Sequence, residues 1–342
     1  MAFKERNSNL ELFRIITMIL IVAHHYVVNS DLFTMVNTLG KINFNSLFLI
    51  LFGWGGKTGI NCFVLITGYF MCTSSITLKK YMKLFLERDF YCVLFFIIFL
   101  ITGYTTFSIK GAISTIFPFF VVQDNFTGCF LLFYLFIPFL NQFIHTMHEK
   151  EHFLFIGLLL FIYTFLPTFM NSVVAFNYVT WFIVLYFIAS YIRLYDKKWF
   201  SNTKLWAILT IITLLLSWAS VVGLYVLGYR GTEYFFVSDS NKVLALLTAV
   251  CAFMFFKNVH ISQNTWINKI SSSSFGVLLI HANCDAMRQW LWKDTLKNVL
   301  LFDSRFLIVH AVFSVIMIYV VCTIIDQIRI RYIEKPLFRR YL

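Results

Sequence analysis

Ten stretches of about 20 mostly apolar residues follow one another along this chain, each long enough to cross the hydrocarbon core of a bilayer as a helix. They lie near 10–28, 47–71, 89–105, 128–146, 153–170, 177–193, 204–227, 241–257, 271–292 and 305–327. Inside lipid every backbone N–H and C=O must find its partner within the chain, so the helix is the form open to such stretches. Composition agrees: 13% of the 342 residues are charged, too few to coat a soluble globule of this length. The expected fold is an all-α polytopic membrane protein with about ten transmembrane helices, built as a single domain over residues 1–342. With four prolines and no Ser/Gly-rich run, the chain offers no flexible linker.

The formal charge of +12 would suggest nucleic acid in a soluble protein. In a membrane protein Lys and Arg collect in cytoplasmic loops, and no nucleic acid is expected. With the N-terminus inside, 19 of the 28 Lys and Arg fall on that side, Arg88 among them, and 9 on the other, including Lys57 and Arg288. The bias gives N-in and C-in in a multi-pass plasma-membrane protein. Lys4 and Arg6 before an apolar run resemble a signal peptide, but no A-x-A site follows, which gives an uncleaved first helix. The apolar stretch 111–123 is short enough to be re-entrant or interfacial. Gly53, Gly55, Gly56 and Gly59 predict that the second span breaks or packs closely there. The basic tail from Ile328 to Leu342 is expected along the anionic inner surface.

Ionisable residues inside spans are the strongest pointers to function, because inserting them is unfavourable. The first span holds Arg14, His24 and His25. Arg14 and His25 are eleven residues apart, about three turns, and so share one helix face with an axial separation of about 16 Å. His24 is turned about 100° from that face. Spacing alone leaves a second reading open, in which Arg14 snorkels to headgroups and the histidines sit at the outer interface. In the ninth span, SSSSFGVLLIHANC holds His281 about midway, with Asn283, Asp285 and Arg288 within two turns. Its four serines are expected to cap the helix start. His281 is either functional or a packed interior histidine.

Other features lead nowhere. GWGGKT (Gly53–Thr58) resembles the end of a Walker A loop, but Leu51 replaces the first glycine and no strand precedes it. His145, His148 and His152 share a face but are expected in a solvated loop, so no metal is expected. The cysteines Cys62, Cys72, Cys92, Cys129, Cys251, Cys284 and Cys322 form no CxxC and read as small buried hydrophobes.

Several segments together resemble one family. NLELFRIITMILIVAHHY, at the start, is similar to the opening of the membrane-bound acyltransferase 3 family, whose hallmark is Arg, ten residues, then His: here Arg14 and His25. GKTGINCFVLITGYFM (Gly56–Met71) is similar to its second-helix signature, with Thr67-Gly68 where the family usually has serine-glycine. FLLFYLFIPFLN, WFIVLYFIASYIRLY, SFGVLLIHAN and IEKPLFR resemble later family segments, so the likeness spans nearly the whole chain.

The resemblance implies transfer of an acyl group, commonly acetyl from acetyl-CoA, to a hydroxyl of an envelope or capsular glycan. Acetyl-CoA is then the donor substrate. Under that reading Arg14 grips a CoA phosphate as a planar fork. His25 takes the proton of the sugar hydroxyl as general base, or forms an acyl-imidazole. His281, Thr67 or Asn61 orients His25 or the donor carbonyl, and Asn283 and Arg288 meet the acceptor. The rival from another class is a transporter or flippase for a lipid-linked sugar or small acid, whose mark is paired broken helices. A structural envelope subunit would leave the buried Arg and His without a purpose.

Overall fold

The computed structural model describes residues 7–120, 126–172 and 176–340. Among the described residues the fold is helical, without strands. The chain opens with α1 (Ser8–Val28), α2 (Leu32–Leu39), α3 (Phe44–Gly53), α4 (Gly56–Met71), α5 (Leu78–Ile101), α6 (Ile109–Ile116) and α7 (Phe126–Thr146). Further helices cover Glu149–Phe169, Tyr178–Leu194, Thr203–Val226, Val243–Asn258, Thr265–Ser271, Ser274–His281 and Leu307–Phe338. Six of these segments are long and apolar enough to cross a bilayer: Ser8–Val28, Phe44–Met71, Phe126–Thr146, Glu149–Phe169, Thr203–Val226 and Leu307–Phe338. The other expected spans are helical but shorter, more charged or interrupted. Tyr178–Leu194 and Val243–Asn258 are short apolar helices.

The first helix, α1, is the hub. It packs on α3, α4, Val243–Asn258, Thr265–Ser271, Ser274–His281 and the last helix. Close approach to α4 follows from the glycines. A Cβ at Gly56 would fall 2.2 Å from Cγ of His24, and one at Gly59 would fall 2.8 Å from Ile21. Small residues at such a seam let two backbones meet where lipid offers no hydrophobic drive for association. The second span also breaks, at Trp54–Gly55 between α3 and α4, so both halves of the sequence expectation hold.

Loops sort by their bonds into two ends. At one end Asn37 meets Glu233, Arg230 donates to the Gly40 carbonyl, Lys293 pairs with Asp31, and Asn45 donates to the Phe302 carbonyl. At the other, Ser8 meets Asn268, Asn9 donates to the Phe256 carbonyl, Thr203 to Asn258, and Lys197 pairs with Glu149.

Five sequence expectations change. The span drawn over 89–105 starts earlier: α5 begins at Leu78, capped by Thr77, whose hydroxyl accepts from the Lys80 N–H. Of the charges in its first turns, read as loop, Lys79 and Lys80 stay exposed within the helix, while Lys83 pairs with the buried Glu334. The span drawn over 271–292 is interrupted twice, at Ser272–Ser273 and just after His281, where Ala282–Cys284 turns before a short helix at Asp285–Arg288. Its serines do not cap: Ser273 makes no side-chain cap bond, while Ser271 donates to Glu11 and Gln327 donates to Ser272 and Ser273. The tail is not a surface strap at its start. Arg329 is 5% and Glu334 8% exposed, and both join a buried ion cluster with Glu87 and Asp326. His152 is not solvated but fully buried, with Nε2 donating to the Phe187 carbonyl at 3.0 Å.

The stretch 111–123 is a short helix, α6, ending in a turn at Pro118–Phe120; residues 121–123 lie outside the described residues. Of the cysteines, all free, five are buried; Cys92 and Cys284 are half-buried and face a cavity.

Candidate active site

Helix α1 carries His24 and His25 near its C-terminal end, where it faces α4 on one side and Ser274–His281 on the other. His25 Nδ1 lies 2.9 Å from His281 Nε2. His281 is fully buried, and its Nδ1 lies 2.6 Å from the carbonyl oxygen of Val277, four residues earlier. A carbonyl only accepts, so His281 Nδ1 carries the proton and donates it. With the ring neutral, His281 Nε2 is an acceptor, and His25 Nδ1–H must donate to it. A neutral His25 with its proton on Nδ1 has a bare lone pair on Nε2. One backbone carbonyl thereby sets the tautomers of two imidazoles. Trp292, also fully buried, stands edge-on to the His281 ring at 6.5 Å between centroids and backs the pair.

His25 borders a cavity of about 790 Å³. It extends from Ile21, His24, Gly56, Lys57 and Ile60 on one side to Arg88, Cys92 and Thr115 on another. Asn283, Asp285 and Arg288 line the third. The break after His281 turns Asn283 and Arg288 toward it: a continuous helix would have carried them onward through the bilayer. Asn283 Nδ2 donates to the Leu279 carbonyl at 2.9 Å and lies 3.6 Å from Cys92 Sγ. Arg288 pairs with Asp285 at 2.9 Å.

His24 takes a different part. Its Nδ1 donates to the Gly53 carbonyl at 2.5 Å, at the end of α3, and its ring lies on Gly56. It fastens α1 to the α3–α4 break, leaving His25 bonded to His281.

The remaining sequence candidates lie elsewhere. Arg14 is not on the wall of this cavity. Its Nη1 lies 2.9 Å from Glu11 Oε2, and Glu11 in turn accepts from Ser271 at 2.5 Å. Asn61 is fully buried and spends its amide on structure: Nδ2 donates to the Ser240 carbonyl at 2.7 Å, and its oxygen accepts from Trp181 Nε1 at 2.8 Å. Thr67 donates back to the Phe63 carbonyl within α4 and does not reach the cavity.

Two wall residues escaped the sequence reading. Arg88, counted as a loop charge, is 3% exposed; its Nη1 donates to Asp89 at 2.7 Å and to the Thr115 carbonyl. Lys57 donates to Tyr178 Oη at 2.7 Å and lies 3.3 Å from Asp239. The signal for Arg88 was Thr77, an N-cap residue that starts the helix eleven residues before it.

The arrangement can do one kind of chemistry well. An imidazole nitrogen with a free lone pair, held in place from behind and open to a polar cavity, accepts a proton from a hydroxyl laid against it. A family model described as an acyltransferase domain matches residues 7–327. No curated protein and no solved structure matches the chain. The matched length takes in every helix that borders the cavity, and with its several apolar helices of bilayer length the chain belongs to the acyltransferase 3 family of membrane acyltransferases.

Proposed function

We propose that this chain is a membrane O-acyltransferase that moves an acyl group, acetyl from acetyl-CoA, onto a hydroxyl of a cell-surface or envelope polysaccharide. It would do so as one plasma-membrane domain of ten crossings, N-in and C-in. The observation that carries the reading is the chain of hydrogen bonds from the Val277 carbonyl through His281 to His25, which leaves His25 Nε2 as a base at the cavity. The cavity volume suits a ligand of sugar size. In the step, Nε2 takes the proton of the sugar hydroxyl as its oxygen attacks the thioester carbonyl. The C–S bond breaks, and the imidazolium returns the proton to the departing thiolate, giving ester and free CoA. His281 stabilises the charged His25 by accepting from it throughout. Asn283 and Arg288 are the acceptor-side contacts.

Arg14 holds the donor's phosphates at the other end of α1, about 16 Å along the axis. The pantetheine arm then has to pass the level of Thr17 and Ile21, which are buried. Binding of the donor must part the side chains there. Arg14→Lys keeps the charge but turns a fork into a point. It is expected to raise the donor KM about tenfold, and an unchanged donor KM in initial-rate assays removes Arg14 from the donor site.

A second reading, transport or flipping of a lipid-linked sugar or small acid, draws support from the interruptions at Trp54–Gly55 and Ser272–Ser273, since paired broken helices mark transporters. One experiment separates the two. Purified protein in detergent is given labelled acetyl-CoA and unacylated surface glycan. Label in the glycan, or release of free CoA, is expected. Intact donor after prolonged incubation with folded, monodisperse protein sinks the enzyme reading.

A further inference from the structure

The wall of the His25 cavity is charged in one direction. Among the described residues it presents the cations Lys57, Arg88 and Arg288 against one carboxylate, Asp285, which is 96% exposed at its side chain and belongs to Arg288. Asp89 and Asp239, the partners of Arg88 and Lys57, are not wall residues. Arg88 is the most telling. It is buried, and its bonds to Asp89 and to the Thr115 carbonyl both use Nη1. Its Nε is buried without a partner, and Nη2 makes no hydrogen bond among the described residues. The unpaired Nε–Nη2 edge of a guanidinium is a planar pair of donors matched to the two oxygens of a carboxylate or phosphate. Left unpaired in a low-dielectric site, such donors are unfavourable. Lys57 adds a point charge whose ammonium is oriented by Tyr178. Arg288, half-exposed, stands nearer the mouth. Cations that run from an exposed mouth to a buried end draw anions inward, because low-dielectric walls focus the field.

We propose that the acceptor is an anionic glycan, bearing a carboxylate or phosphate that docks on Arg88 while Lys57 and Arg288 steer it in. The docked group holds a neighbouring hydroxyl at His25. This inference rests on the acyltransferase reading and narrows its substrate class.

The test uses the full-length protein in detergent with labelled acetyl-CoA. The acceptor is surface glycan from cells lacking the protein, supplied intact or after its carboxylates are reduced and its phosphates removed. Intact glycan is expected to be acylated with a kcat/KM about 10- to 100-fold above that of the neutralised form, the usual effect of a charge-assisted contact. Equal rates with the two glycans overturn the proposal and leave the acyltransferase reading standing. No transfer to either, with donor intact, sinks that reading and this inference with it. Arg88→Gln is expected to erase most of the preference, with little change in donor KM. A raised donor KM with the preference kept would place the donor's phosphates on these cations and overturn the proposal. The comparison of the two glycans on the unaltered protein decides the matter even if that variant fails to fold.

Discussion

His25→Ala is expected to slow glycan acylation by about 10²- to 10⁴-fold, the usual contribution of a positioned general base, while the protein still inserts and stays monodisperse. His25 is half-buried at the cavity, so water can fill the space its ring leaves and bond His281 Nε2. His281→Ala should lower kcat and leave both KM values nearly unchanged, because His281 positions His25 and touches neither substrate. A purely structural role for His281 would instead lower the yield of folded protein. His24→Ala is the mild member of the set. It removes a bond to Gly53 and a ring packed on Gly56, but not the relay. Full acylation by His25→Ala, measured by mass spectrometry of surface glycans, removes the proposed base. Greater damage from His24→Ala than from His25→Ala would mean the other imidazole does the work.

The second large effect is on stability. Arg329 sits among three buried carboxylates: Nε donates to Asp326 at 2.8 Å, Nη1 to Glu334 at 3.0 Å, and Nη2 lies 3.0 Å from Glu87. Tyr91 donates to Asp326 at 2.9 Å. The cluster ties α5 to the last helix, and Asp326 also sets the seat of the Ser274–His281 helix, since a Cβ at Gly276 would fall 2.4 Å from its carboxylate. Arg329→Ala leaves Glu87, Asp326 and Glu334 facing one another with Lys83 as the remaining cation. Stranding buried charge in this way costs about 3–5 kcal/mol. Lys83→Ala, which removes a half-exposed partner of Glu334, should cost less than about 1 kcal/mol. The check is the temperature at which each detergent-solubilised variant loses its monodisperse peak. Equal temperatures for Arg329→Ala and the unaltered protein would show that the cluster contributes no net stability.

Much of this was legible in the residues alone. Apolar runs of bilayer length become helices because lipid leaves the backbone no other partner, and that rule acts locally. The shared face of Arg14 and His25 follows from helix period, and the glycines of the second span announced both its break and its close seam with α1. Tertiary packing decided the rest. Periodicity says which residues share a face of one helix, but which neighbour that face meets depends on every other helix. Thus Asn61 was turned to Trp181, Arg88 was drawn from an expected loop into the cavity wall, and Arg14 was left off it. His281 came to His25 across 256 positions of chain. The ion cluster that ties α5 to the last helix and buries the start of the tail is likewise closed by contacts such as Tyr91 to Asp326, 235 positions apart. A charge reads as a loop residue in sequence because its cost is visible there, while the partner that offsets the cost is brought to it only by the fold.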